Sequence, residues 1–169
     1  VPLVIEKIFR SKVLGTVSKN SRVKYMYDHF ALFRKVFHRI AGKKLMEAFG
    51  GRMKFLGIGG ARLNTQAERF LAEGGIPYAI GYGLTETAPL LCAASPGNTK
   101  IGTTGPALSV IKARIANIDK NGEGELEVMT PSLMDGYFKN PEATAQVITQ
   151  DGWFRTNDVC RIDRKGYVS

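Results

Sequence analysis

Cysteine and histidine are scarce in this sequence: Cys92 and Cys160, His29 and His38 are all that 169 residues hold. Two cysteines build no disulfide framework, and two histidines beside them give no zinc-ligand spacing. Long apolar runs are missing too. No stretch of about 18 apolar residues occurs, which is roughly what ~30 Å of hydrocarbon requires of a helix. Internal repeats and low-complexity tracts are absent, which excludes solenoids and disordered tails. What is present is 44% hydrophobic and 23% charged residues, the composition of one globular domain. The expected setting is reduced and cytoplasmic.

The net charge of +9 is concentrated in one part of the chain. Residues 1–54 carry thirteen Lys or Arg against Glu6, Asp28 and Glu47, while residues 55–169 carry eleven against twelve acids. A basic first third suits anionic lipid headgroups, a phosphate-rich ligand, acidic residues elsewhere in a longer protein, or simply a solvated face. The chain opens Val1-Pro2 without Met and stops at Tyr167-Val168-Ser169 within a β-prone run, so a fragment of a longer protein is expected.

The first third reads as helical. Phe30, Phe33, Phe37 and Ile40 recur at helical spacing and are expected to face the core. Met53 to Ile58 then reads as a strand closed by Gly59-Gly60. Thr65-Gln66-Ala67-Glu68 has capping-box spacing ahead of a short helix with Phe70 and Leu71 inward, stopped by Gly74-Gly75. Ile76 to Ile80 is the next strand. This order is βαβ grammar and predicts a parallel sheet with ligands at the carboxyl ends of its strands.

From Ile101 the pattern becomes antiparallel. Val110 to Ile115 and Glu125 to Val128 flank an Asn121-Gly122 turn and predict a hairpin. Asn140-Pro141-Glu142 starts a short helix, expected to end near Ile148. Trp153 to Thr156 and Val159 to Ile162 read as two further strands before the Asp163 to Gly166 turn. The expected division is residues 1–100, helical segment plus βαβ part, and residues 101–169, an antiparallel β-rich subdomain.

Gly81-Tyr82-Gly83-Leu84-Thr85-Glu86-Thr87 follows directly on a strand. Glycines beside Tyr82 let a flat ring approach the backbone, Thr85 offers a hydroxyl, and Glu86 offers a hard oxygen to Mg²⁺. The same residues also make an ordinary strand-to-helix turn with a capping Thr and Glu.

The segment nevertheless resembles the Tyr-Gly-x-Thr-Glu core of the adenylate-forming enzymes, the superfamily of acyl-CoA synthetases, luciferases and peptide-synthetase adenylation domains. Further matches follow in that superfamily's order. They are Gly59-Gly60-Ala61-Arg62-Leu63, Gly122-Glu123-Gly124-Glu125-Leu126, Gly136-Tyr137-Phe138 with Pro141 and Thr144, and Gly152-Trp153-Phe154-Arg155-Thr156-Asn157-Asp158. Val1-Pro2 with Ile5 to Phe9, and Lys43 to Arg52, are similar to the long-chain fatty acyl-CoA synthetase branch.

The resemblance implies an α/β fold, the later part of a parallel sheet subdomain followed by an antiparallel, distorted-barrel subdomain. It implies an AMP-forming acid–thiol ligase using ATP, Mg²⁺ and coenzyme A to activate a fatty acid through an acyl-adenylate. Gly60 and Ala61 would lie on one face of the adenine, and Gly81, Tyr82 and Gly83 on the other. Thr85 would stand near the phosphates and the acyl carboxylate, Glu86 would ligate Mg²⁺, and Asp158 would accept from the ribose hydroxyls. Arg62 and Asn157 depart from the superfamily's usual Pro and Gly.

A Ser/Thr/Gly-rich phosphate loop and the catalytic Lys of the mobile domain are missing, so the chain alone is expected to be inactive, with exposed sheet edges that favour self-association. An adenylating enzyme for another carboxylic acid, or a basic module binding membranes or nucleic acid, are the competing readings. Aromatics gathered on one helical face speak against nucleic acid. Peripheral membrane contact through the basic third is the expectation retained.

Overall fold

The computed structural model describes residues 2–169 and divides into two compact units. One takes the chain up to Ala79 together with Ser95–Gly102; the other takes Ile80–Ala94 and Thr103–Ser169.

In the first unit, α1 (Pro2–Ile8) continues through a π-helical stretch, Phe9–Leu14, into α2 (Gly15–Val17). Ile5, Phe9, Val13 and Val17 are all buried. A row of every fourth residue drifts around a helix of 3.6 residues per turn, and the wider π turn offsets that drift, keeping the row on one face. Asn20 caps α3 (Ser21–His29), accepting from the amides of Arg22 and Val23 at 2.9 and 3.3 Å.

The expected aromatic core stripe is not what α4 (Ala31–Ala48) buries. Phe30 precedes the helix in an extended conformation and is 54% exposed, Ile40 is 56% exposed, and Phe33 and Phe37 are only half-buried. His38 and Gly42 face inward instead. A Cβ on Gly42 would lie 2.3 Å from the carbonyl oxygen of Gly74, so backbones meet here, and that approach fixes the rotation of α4. Hydrophobic spacing alone does not register such a contact.

β1 (Leu56–Ile58), α5 (Thr65–Glu73) and β2 (Tyr78–Tyr82) form the predicted βαβ unit. Its capping differs by one residue. Asn64, not Thr65, is the N-cap, accepting from the amides of Gln66 and Ala67 at 2.9 and 3.4 Å. Glu68 is freed from capping; buried, it accepts from the Tyr78 hydroxyl at 3.2 Å and the Gly102 amide at 2.9 Å. β3 (Cys92–Ala93) adds to β2 antiparallel, giving the sheet order β1-β2-β3, with β1 and β2 its parallel part.

In the second unit, β4 (Gly105–Pro106) pairs with β8 (Tyr167–Val168), and β5 (Lys112–Ala116), β6 (Gly124–Met129) and β7 (Phe154–Cys160) form an antiparallel sheet. Asp119 builds the predicted tight turn, accepting from the amides of Asn121 and Glu123, while Gly122 takes φ 78°. α6 (Pro141–Val147) begins where the sequence predicts, Asn140 accepting from the Ala143 amide at 3.1 Å. Leu91, Cys92, Ile111, Leu126, Val128, Phe154 and Val168 make the core. Among the described residues these strands lie in open sheets and close no barrel.

Candidate functional site

β2 delivers Gly81, Tyr82 and Gly83 to its carboxyl end, and the chain then folds straight back. The Leu91 amide donates to the Tyr82 carbonyl at 2.8 Å. A Cβ on Gly83 would lie 1.5 Å from the Pro89 carbonyl oxygen, and one on Gly81 would lie 2.8 Å from Leu90 Cδ1. Gly83 is therefore required by the backbone of the returning chain, while at Gly81 only the Leu90 side chain would have to move.

Between them the Tyr82 hydroxyl donates to Asp158 Oδ2 at 2.5 Å. Burial, and then the Asp158 carboxylate that accepts its proton, push the Tyr82 phenol far above its ordinary value of 10.0. Asp158 reaches this position because β7 is one bulged strand and not the two strands that the sequence suggests. Glu125 pairs with Val159 and Glu127 with Arg155, so Thr156, Asn157 and Asp158 stand opposite Leu126 alone. The Thr156 hydroxyl donates to the Leu126 carbonyl at 2.8 Å and accepts from the Asp158 amide at 3.1 Å. Asn157 takes φ 59°, the left-handed geometry that Asn tolerates in place of Gly.

Past Tyr82, Thr85–Thr87 form a 3₁₀ turn. The buried Thr87 hydroxyl closes it, donating to the Leu84 carbonyl at 3.0 Å and accepting from the Leu84 amide at 3.3 Å. Thr85 is exposed and Glu86 half-buried. Three contacts hold this turn against the segment after β6. Ser132 Oγ donates to the Thr87 carbonyl at 2.8 Å, the Met134 amide to the Glu86 carbonyl at 2.8 Å, and the Tyr137 hydroxyl to Glu86 Oε1 at 3.0 Å. The bond to Glu86 raises the Tyr137 phenol above its ordinary value of 10.0.

Tyr82, Thr85, Glu86 and Asp158 thus belong to one unit, and three of them are tied by direct hydrogen bonds either to each other or to Tyr137. Gly60 and Ala61 lie in the first unit, exposed in the turn after β1, with Gly60 at φ 85°. Tyr137 and Thr156 escaped the sequence reading as functional positions. Both sit inside the matched motifs, which is the signal that was there to use. Glu86 Oε2 and Asp158 Oδ1 accept no hydrogen bond from the described residues. Among these residues no three His, Cys, Asp or Glu side chains gather as a metal cluster.

The model of the AMP-binding enzyme family matches residues 4–138. Long-chain-fatty-acid–CoA ligase 4 of Saccharomyces cerevisiae is 36% identical over 132 residues, covering 75% of this chain and 19% of the yeast protein. The chain therefore spans about a fifth of the length of such curated relatives. The solved structure of apo MatB from Rhodopseudomonas palustris superposes with a TM-score of 0.65 at 28% identity, covering 79% of this chain and 28% of MatB. A malonyl-CoA ligase ternary product complex with methylmalonyl-CoA and AMP gives 0.63 at 33% identity, covering 79% of this chain and 31% of that one. Sequence and fold agree that the chain belongs to the AMP-binding enzyme family.

Proposed function

We propose that the chain carries the adenosine side of the nucleotide site of an ATP-dependent fatty acid–CoA ligase working through an acyl-adenylate. The observation that carries this reading is the Tyr82–Asp158 bond. It fixes one carboxylate oxygen beside an aromatic ring and leaves the other as an acceptor. An ionised carboxylate only accepts, which suits the two hydroxyls of a ribose. The likeness to the yeast long-chain-fatty-acid–CoA ligase supports the substrate class, and the malonyl-CoA ligase complex with AMP supports the nucleotide.

Glu86 fits a Mg²⁺ ion chemically, as a carboxylate with one oxygen tied to Tyr137 and the other available. Mg²⁺ is commonly held by one or two carboxylates with substrate phosphates completing its shell, so the lack of a wider acidic cluster among the described residues suits this role. Bound there, the ion would neutralise charge on the phosphates. Asp158 orients the ribose, Gly81 to Gly83 lie against the adenine, and the exposed Thr85 hydroxyl donates to a phosphate or to the acyl carboxylate. Coenzyme A takes the acyl group in the second half-reaction.

The sequence holds no Ser/Thr/Gly-rich phosphate loop, so the triphosphate has no cradle of backbone amides in this chain. The purified chain given fatty acid, MgATP and coenzyme A is expected to yield no acyl-CoA by mass spectrometry. Sustained production of acyl-CoA would overturn the assignment of a partial site.

A further inference from the structure

Contact with nucleotide does not account for one motif of the sequence, Gly136-Tyr137-Phe138 with Pro141 and Thr144. The structure joins four of these residues into a single device. Asn140 caps α6, Pro141 opens it, and Thr144 follows one turn on. The Thr144 hydroxyl donates to the Asn140 carbonyl at 3.0 Å and accepts from the Tyr137 amide at 2.9 Å, so the first turn of α6 fixes the backbone of Tyr137. A Cβ on Gly136 would lie 2.8 Å from Thr144 Cγ2 and 2.9 Å from its hydroxyl oxygen, and Thr144 cannot turn away without losing those bonds. Glycine is what this approach requires. The outcome of the arrangement is one contact, the Tyr137 hydroxyl donating to Glu86 Oε1 at 3.0 Å.

We propose that Tyr137 is a positioning residue for the metal-ligating carboxylate, with Gly136, Pro141 and Thr144 as its mount; this rests on the reading of Glu86 as a Mg²⁺ ligand. A tie between two segments would not need it. Ser132 Oγ on the Thr87 carbonyl and the Met134 amide on the Glu86 carbonyl already hold the same segments together, both through main-chain oxygens of the turn. Tyr137 adds a bond to the carboxylate itself. Glutamate is among the side chains that lose most rotamer freedom when ordered, and that loss opposes binding of a cation. Held in advance at Oε1, the carboxylate presents Oε2, which accepts nothing from the described residues. Hydrogen bonds to a metal's ligands orient them in this way and set much of the affinity.

The test has two readouts. One is the Mg²⁺ dependence of pyrophosphate exchange in a ligase containing this chain; the other is Mn²⁺ titration of the isotopically labelled chain, followed as paramagnetic broadening of the Glu86 and Thr87 amides. Tyr137→Phe removes the hydroxyl and keeps the ring. It should raise the metal concentration at both midpoints about fivefold, the worth of one hydrogen bond, with KM for the fatty acid unchanged. Thr144→Val should act in the same direction, and Thr144→Ser, which keeps the hydroxyl, should restore the unaltered midpoints. Ser132→Ala is the control: it cuts a tie between the same segments without touching the carboxylate and should move neither midpoint. Circular dichroism checks that each variant folds. A Tyr137→Phe midpoint that stays in place, or an equal shift in Ser132→Ala, would overturn the inference while a shifted Glu86→Gln titration kept Glu86 as the ligand. A normal titration of Glu86→Gln, or no broadening at these amides in the unaltered chain, would remove the ligand assignment and the inference with it.

Discussion

Tyr27 and Tyr82 each bond a titratable partner, and the two arrangements differ in a way that separates architecture from a site. In the first unit the Tyr27 hydroxyl meets His38 Nε2 at 2.6 Å, and His38 Nδ1 meets Glu73 at 2.8 Å. A carboxylate can only accept, so Nδ1 carries the proton and Nε2 accepts from Tyr27. His38 is 1% exposed and packs edge-on against Phe9, Tyr27 and Phe70. Every polar atom of the imidazole is used. In the second unit the Tyr82–Asp158 pair spends one carboxylate oxygen and leaves the other accepting nothing from the described residues. A saturated buried network holds helices together; an unsaturated one is available to a ligand.

The largest effect that sharpens this contrast is expected from His38→Ala. It removes a ring from an aromatic cluster, leaves the Tyr27 hydroxyl without its partner and leaves Glu73 with Arg34 alone, so urea unfolding should show a loss of about 3–5 kcal/mol. A loss below ~1 kcal/mol would mean that the network does not hold these helices together. Asp158→Ala should behave in the opposite way. Stability should change by less than ~1 kcal/mol, while in a ligase containing this chain the catalytic efficiency for ATP should drop about tenfold or more, the worth of one charge-assisted hydrogen bond. Unchanged steady-state kinetics would remove Asp158 from the site.

A weaker effect concerns pH. Burial holds the folded-state pKa of His38 below its ordinary 6.5, against the opposing pull of Glu73. As pH falls below 6.5 the unfolded chain takes up the proton before the folded one does. Stability is therefore fully present above that value and declines beneath it, by at most about 1.4 kcal/mol per pH unit for one group. His38→Gln should flatten this part of the pH–stability curve, and a slope that survives the substitution would assign it to another group. Smallest of all, Glu86→Gln keeps the shape and loses the charge, so its defect should be a severalfold higher Mg²⁺ requirement in pyrophosphate exchange. A normal Mg²⁺ titration would exclude Glu86 as a ligand.

The contrast also marks what the sequence can convey. Local chemistry is legible: the Asn121-Gly122 hairpin, the Asn140-Pro141 helix start and the βαβ order all depend on residues within a turn of one another. So is the Gly81 to Thr87 segment, because Gly83 answers to the Pro89 backbone a few residues on. Three readings fail. The Phe30 to Ile40 stripe and the two-strand reading of Trp153 to Ile162 give way to a contact or a pairing outside the local pattern, and the Thr65 cap to the residue just before it. Gly42 meets Gly74, Asn64 takes the amides that Thr65 would cap, and β6 pairs with β7 on both sides of a bulge, which makes one strand of the two. The pairing of Tyr82 with Asp158 spans 76 positions and that of Tyr137 with Glu86 spans 51. Spacing rules reach only a few residues along a helix or strand, so neither pairing is written in them.

The central claim is that the Tyr82–Asp158 pair contacts nucleotide, and titration of the isotopically labelled chain with AMP, followed by amide chemical shifts, tests it most directly. Shifts confined to Gly81 through Leu84 and to Asn157 and Asp158, and lost in Asp158→Ala, are the predicted result. No shift at those amides, or an identical titration of the variant, would contradict the account.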